Sequence, residues 1–267
     1  MRRGTLVALA GRVPGLVALL RRLRDRRAEA ALAGIDYRPG LCINSMPKAG
    51  THLLAGALAA LEVPHYRRHL NGVDAATLAR LDGAVFFTHL AYSPEAAQRL
   101  QQAGYHQWLL LRAPTAVALS TLVYVLTRRD HPQHAAYAQA WQQGGAQALV
   151  ALRVHGDAAR GLGSIAALYR RYFDWAGQPG VAPLYYEDLT GPQGLSMLLS
   201  RLAEEGAPLR RPAVSDLGAL APPQASATVL PDWVDRRALQ DLLTGEHAAI
   251  LQPLERAYQR LRESGSA

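Results

Sequence analysis

Short apolar runs alternate along the chain with longer segments in which apolar residues recur at helical spacing. The run Leu41–Met46 (LCINSM) predicts a buried strand, and across a tight turn Gly50–Leu61 predicts an Ala/Leu-rich helix. Ala84–Thr88 (AVFFT), Gln107–Arg112 (QWLLLR) and Pro183–Tyr186 (PLYY) predict three more strands. Helices are expected after each: Ser93–Ala103, with Ser93 as N-cap and Pro94 at the first helical position, then Pro114–Thr127 by the same proline logic, and Gly191–Glu205. Between Asp130 and Trp175 the pattern predicts two helices punctuated by Gly144, Gly145, Gly161 and Gly163, an insertion or lid over the sheet edge. After a long Pro/Ala/Ser-rich loop, Leu209–Pro231, two helices, Asp232–Leu243 and Glu246–Glu263, close the chain. Strands alternating with helices are the sequence form of an α/β domain, with a central, mostly parallel sheet flanked by helices.

Composition supports one full-sized core. The chain has 267 residues, 49% hydrophobic and 19% charged, with no repeat or low-complexity tract. A single cysteine, Cys42, leaves no intrachain disulfide and no Cys-based zinc site, so a reducing compartment is the simplest reading. The net charge of +8 points at first to nucleic acid, but residues 1–30 hold eight arginines against Asp25 and Glu29. That segment carries +6 and leaves +2 for the other 237 residues, so the footprint of a nucleic-acid binder is missing. Residues 1–35 therefore read as a basic amphipathic arm and 36–267 as a single α/β domain, with its helical insertion at about 130–175. Arg12 and Pro14 break the arm's apolar stretch well short of the roughly 20 residues that span a bilayer. It suits a solvated segment or a helix lying on a membrane surface, and the expected location is cytoplasmic or peripheral at the inner membrane face.

One detail of the charge narrows the chemistry. Of the 29 basic residues only Lys48 is lysine, and it lies in the turn Ser45-Met46-Pro47-Lys48-Ala49-Gly50-Thr51-His52 between the first strand and its helix. Backbone N–H groups at such a helix start, with the helix dipole behind them, make an anion site. Lys48 adds charge and Thr51 a hydroxyl, so a phosphate or sulfate is the natural guest. The turn is not a Walker A loop, which needs a leading glycine and a Ser or Thr directly after the lysine.

INSMPKAGTH resembles the 5′-phosphosulfate loop of sulfotransferases that use 3′-phosphoadenosine-5′-phosphosulfate (PAPS), which usually reads PKSGTT. Three further elements follow in that family's order. Arg112 and Ser120, eight residues apart, are similar to its 3′-phosphate element; an arginine at the carboxyl end of a strand also projects into the crevice where α/β sheets bind ligands. Phe87-Thr88-His89-Leu90 resembles its Thr-His element, which makes His89 the general base, a role that suits a neutral imidazole. Tyr185-Tyr186-Glu187-Asp188-Leu189 is similar to its YED segment and assigns Tyr186 to the 3′-phosphate pocket and Glu187 to local structure.

The resemblance implies a P-loop-like three-layer fold and transfer of a sulfuryl group from PAPS to a hydroxyl or amine, releasing PAP, with no metal. His89 and Lys48 would be catalytic. Pro47, Lys48, Ala49, Gly50, Thr51, His52, Arg112, Ser120 and Tyr186 would hold the nucleotide. The chain departs from the family in two places. Ala49 and His52 replace a serine and a threonine, and the late basic-glycine segment is missing, with Thr228–Trp233 (TVLPDW) its nearest relic and Arg210, Arg211 or Arg236 as candidates to fill the gap. Two alternatives stay open: a P-loop-like small-molecule kinase, and a non-catalytic nucleotide-binding module docked on membranes by the arm. The acceptor, a small molecule, glycan or lipid, would be lined by Val63–Leu70, the segment after His89, and 130–175. His131 and His134 lack a third ligand for a metal. His65 and His69 read as substrate-loop or solvent-facing residues, and Tyr124, Tyr137 and Trp141 as packing.

Overall fold

A computed structural model of the protein describes residues 40–81, 83–207 and 234–264, with the side chains of Arg67 and Arg68 left aside. The basic arm, the loop Leu209–Pro231 with Arg210 and Arg211, and the whole TVLPDW segment lie outside the described residues.

Five parallel strands form one sheet in the order β2-β3-β1-β4-β5: β1 Gly40–Ser45, β2 His65–Leu70, β3 Val85–Thr88, β4 Tyr105–Leu111 and β5 Val181–Tyr185. The central strand β1 is buried at every position, and its Cys42 is a free thiol whose pKa burial pushes up, which makes it a packing residue. Helices α1 Thr51–Ala60, α2 Ala75–Arg80 and α3 Pro94–Gln102 connect the first four strands. Between β4 and β5 lie α4 Pro114–Thr127, α5 His134–His155 and α6 Ile165–Phe173. After β5 come α7 Tyr186–Leu189, α8 Gly194–Glu204, α9 Arg236–Thr244 and α10 Ala248–Ser264. The architecture is α/β, a parallel sheet flanked by helices. The chain leaves β1 toward β2 on one side and leaves β4 toward β5 on the other, so a crevice opens at the carboxyl ends of these neighbouring strands.

Local chemistry explains where several helices start. Ser93 caps α3 by accepting from the Ala96 N–H, with Pro94 at the first helical position. Helix α5 is kinked at Gly144 and Gly145, where the backbone leaves the helical region, and it packs on α4 and α9. Tyr137, Leu149, Val154, Ile165 and Tyr169 from the segment 130–175 are buried in the same core as the sheet, and Trp141 packs against that core.

The structure differs from the sequence expectation at β2 and α2. Val63–Leu70 reads as a loop because HYRRHL lacks an apolar alternation, yet His65–Leu70 pairs with β3 as an edge strand, bulged between Tyr66 and His69. Helix α2 is short and capped by Asp74, which accepts from Thr77 N–H. Among the described residues no helix is long and apolar enough to cross a membrane.

Candidate active site

Loop Met46–Gly50 carries the chain from β1 into α1 through two unusual backbone conformations, φ of 69° at Lys48 and 103° at Gly50. For a side-chain-bearing residue the left-handed region costs about 1–2 kcal/mol, so Lys48 must be held there. Arg112 does so in part, donating from Nη1 to the Lys48 carbonyl at 3.2 Å. Position 50 admits only glycine. Its φ is left-handed, and a Cβ there would lie 2.4 Å from the Tyr186 ring. Gly50 is also the N-cap of α1 and offers no side chain to the helix, whose first backbone bond is Leu54 N–H to Gly50 O. The amides of Thr51, His52 and Leu53 thus lack an intrahelical acceptor and face the cavity mouth with the helix dipole behind them. Helix α4 contrasts with this, because carboxylates satisfy its start. Glu187 accepts from Ala113 N–H at 3.2 Å, and Glu255 accepts from the Thr115 N–H and hydroxyl at 2.8 and 2.7 Å. Only the first of these two helix starts is left open to a foreign anion.

Hydrogen bonds fix the tautomer of His89. Its Nδ1 lies 2.5 Å from the Ser45 carbonyl, which can only accept, so the proton sits on Nδ1 and Nε2 carries the lone pair. That lone pair accepts from His69 Nδ1 at 3.0 Å. Burial, then the nearby His89 and His52, lower the His69 pKa to about 4, so His69 is neutral at pH 7. The main chain beside His89 is pinned from several sides. The buried Asn44 amide donates to Leu90 O at 3.1 Å and accepts from Leu90 N–H at 2.9 Å; Tyr172 donates to His89 O at 3.0 Å and Trp175 to Leu90 O at 3.0 Å. Thr88 donates to Leu70 O, tying the ends of β2 and β3 together.

Two cations complete the site, each over an aromatic ring. Lys48 Nζ lies 3.8 Å from the centroid of Tyr124, and the Arg112 guanidinium 4.0 Å from that of Tyr186. Burial, then Arg112 and Arg128, lower the Lys48 pKa to about 8. Arg112 lines the crevice and keeps a buried Nε without a hydrogen-bond partner. Ser120 and Tyr124 sit one turn apart on α4 and so share a face. The Thr51 hydroxyl lies 2.6 Å from that of the buried Ser45, which also bonds Met46 O at 3.2 Å. With the Ser45 proton on Met46 O, Thr51 donates to Ser45, and its oxygen lone pairs face outward from that bond.

These groups line one cavity of about 340 Å³. It brings together Pro47, Lys48, Gly50, Thr51, His52, His89, Arg112, Ser120 and Tyr186, and none of its lining residues is a carboxylate. Ala49 stays outside: its methyl is buried in the core and its N–H donates to Met46 O at 3.0 Å. Arg236 is exposed on α9 and does not reach the cavity. The sequence places His69 on a substrate-facing loop or in solvent, without its contact to His89, and gives no site role to Tyr124 or the supporting Asn44. His69 was hidden by the unread edge strand, Tyr124 by looking like helix packing, and Asn44 by lying inside an apolar run. His65 turns its Nδ1 to Val63 O at 2.9 Å, and His134 turns its own to Val125 O at 2.9 Å.

No protein-family model matches the chain, and no curated protein matches it by sequence. A mouse sulfotransferase, SULT7A1, solved in complex with PAP, is similar to it in fold at 18% identity, over 80% of this chain and 79% of that one, with a TM-score of 0.46.

Proposed function

We propose that the chain is a sulfotransferase that moves a sulfuryl group from PAPS to an acceptor hydroxyl or amine and releases PAP. The observation that carries this reading is a single carboxylate-free cavity in which an open helix N-terminus, Lys48, Arg112 and a tautomer-fixed His89 converge. A doubly phosphorylated nucleotide brings the negative charge that such a lining lacks.

The acceptor hydroxyl takes the place of His69 at His89 Nε2 and gives up its proton there as its oxygen bonds to sulfur. The bond from sulfur to the 5′-phosphate oxygen breaks, and Lys48 compensates the charge left on that oxygen. As in phosphoryl transfer, positioning does most of the work. The amides of Thr51 to Leu53 hold the phosphosulfate, Arg112 and Ser120 grip the 3′-phosphate, and Tyr186 supports Arg112. Glu187 anchors this corner from behind, accepting from Ala113 N–H and from the Tyr258 hydroxyl.

The test separates chemistry from binding. With PAPS and a panel of phenols and sugars, His89→Ala should lose roughly 10²–10⁴ in turnover and keep its affinity for PAP. Arg112→Ala should weaken PAP about 10- to 100-fold, the worth of a charge-assisted hydrogen bond. Near-normal turnover in His89→Ala, or unchanged PAP affinity in Arg112→Ala, would overturn the assignment of that residue.

A further inference from the structure

A second cavity, of about 390 Å³, adjoins the first and shares Pro47, Lys48 and Tyr124 with it. Part of its wall is apolar, from Val125, Ala167 and Leu168. Beside neutral polar groups such as Thr121, Gln133 and Ser164 it carries three cations, Lys48, Arg153 on α5 and Arg171 on α6, with no carboxylate among the lining residues. Arg153 is the unusual member. It is only 5% exposed and its Nε has no hydrogen-bond partner. The groups that favour its charge are Tyr137, whose hydroxyl is hydrogen-bonded to it, and Tyr169, and no carboxylate among the described residues pairs with it. Arg171 is exposed.

A buried guanidinium without a counter-ion is destabilising, and an apolar side chain of similar volume would serve the fold better. Neither Lys48 chemistry nor the nucleotide cavity makes use of Arg153. A planar fork of donors behind a half-apolar wall fits a bound oxyanion, which would supply the missing counter-charge.

We propose that this cavity is the acceptor subsite, and that the acceptor carries, besides the group that is sulfated, an oxyanion held by Arg153 and met at the mouth by Arg171. The assignment as acceptor subsite rests on the sulfotransferase reading; the oxyanion preference of the cavity does not. The substrate class is a small hydroxylated compound, of the size of one ring, bearing a carboxylate or phosphonate-like group. Holding that group would set the distance and direction of the hydroxyl relative to Lys48 and His89.

Calorimetric titration tests this with 4-hydroxyphenylacetate and 4-hydroxyphenylphosphonate against the uncharged 4-hydroxyphenylacetamide. Titrations are run on the protein saturated with PAP, and again on free Arg112→Ala protein, whose nucleotide site is weakened. Both oxyanions should bind at least tenfold more tightly than the amide, or one of them should if the cavity distinguishes their shapes. Arg153→Met should erase the preference and leave PAP affinity within twofold; the surface variant Arg171→Ala should reduce the preference severalfold and decides the matter if Arg153→Met does not fold. Equal binding of oxyanions and amide, or a folded Arg153→Met that keeps the preference, would overturn the subsite. Failure of PAP to bind would remove the sulfotransferase reading instead, and the titration of Arg112→Ala would still decide the oxyanion preference.

Discussion

Replacing Gly50 by alanine strains the loop in two separable ways. The φ of 103° puts an L side chain outside its comfortable regions, at a cost of at least about 1–2 kcal/mol. Independently, the new methyl would stand 2.4 Å from the Tyr186 ring, so the ring must swing away from the loop. In moving it gives up its contact with the Arg112 guanidinium, 4.0 Å from its centroid, worth about 0.5–2 kcal/mol at a partly desolvated site. Gly50→Ala alone should therefore cost about 2–4 kcal/mol. In a Tyr186→Ala background only the backbone part remains. The double-mutant cycle should show the double variant less destabilised than the sum of the single ones by about 1 kcal/mol. Urea unfolding followed by circular dichroism measures all four corners, provided m is unchanged. Additivity within about 0.3 kcal/mol would refute the close approach of Tyr186 to the loop, and with it the account of why glycine stands there.

Two further outcomes follow from the site. Lys48, held near a pKa of about 8 by burial and by Arg112 and Arg128, is charged below that pH and neutral above it. PAP affinity should fall as pH rises from 7 to 9.5, and Lys48→Arg, charged throughout, should flatten the profile; a wild-type profile flat over this range would remove Lys48 from the anion site. Asn44→Ala leaves the Leu90 N–H without its partner and should cost about 1–3 kcal/mol in urea unfolding, with a loss of turnover through a looser His89; a loss under about 0.5 kcal/mol would mean that Asn44 does not hold that segment.

The strand-loop-helix unit from Leu41 to Leu61 and the helix Pro114–Thr127 were legible because burial and proline placement are local signals, and both stand within a residue of expectation. The edge strand β2 was not, since its pairing partner β3 lies about 20 residues away and its polar residues carry no strand pattern. The same distance hid the parts of the site that depend on tertiary packing. His69 meets His89 only through β2 pairing, Glu255 reaches Thr115 across 140 residues, and Tyr169 supports the Arg112 carbonyl from 57 residues away. Lys48 was legible from composition alone, but its bed on the Tyr124 ring was not, because an aromatic residue on an apolar helix reads the same whether it fills a core or underlies a cation.

Discrimination of the 3′-phosphate tests the central claim most directly. Thermal unfolding is followed with PAP, AMP, ADP and ATP–Mg²⁺ in parallel, since a ligand at about 100 times its Kd stabilises the fold by about 2.7 kcal/mol. The account expects a clear rise in Tm with PAP, little with AMP or ADP, and loss of the PAP effect in Arg112→Ala. A rise with ATP–Mg²⁺ and none with PAP would contradict it and favour a kinase.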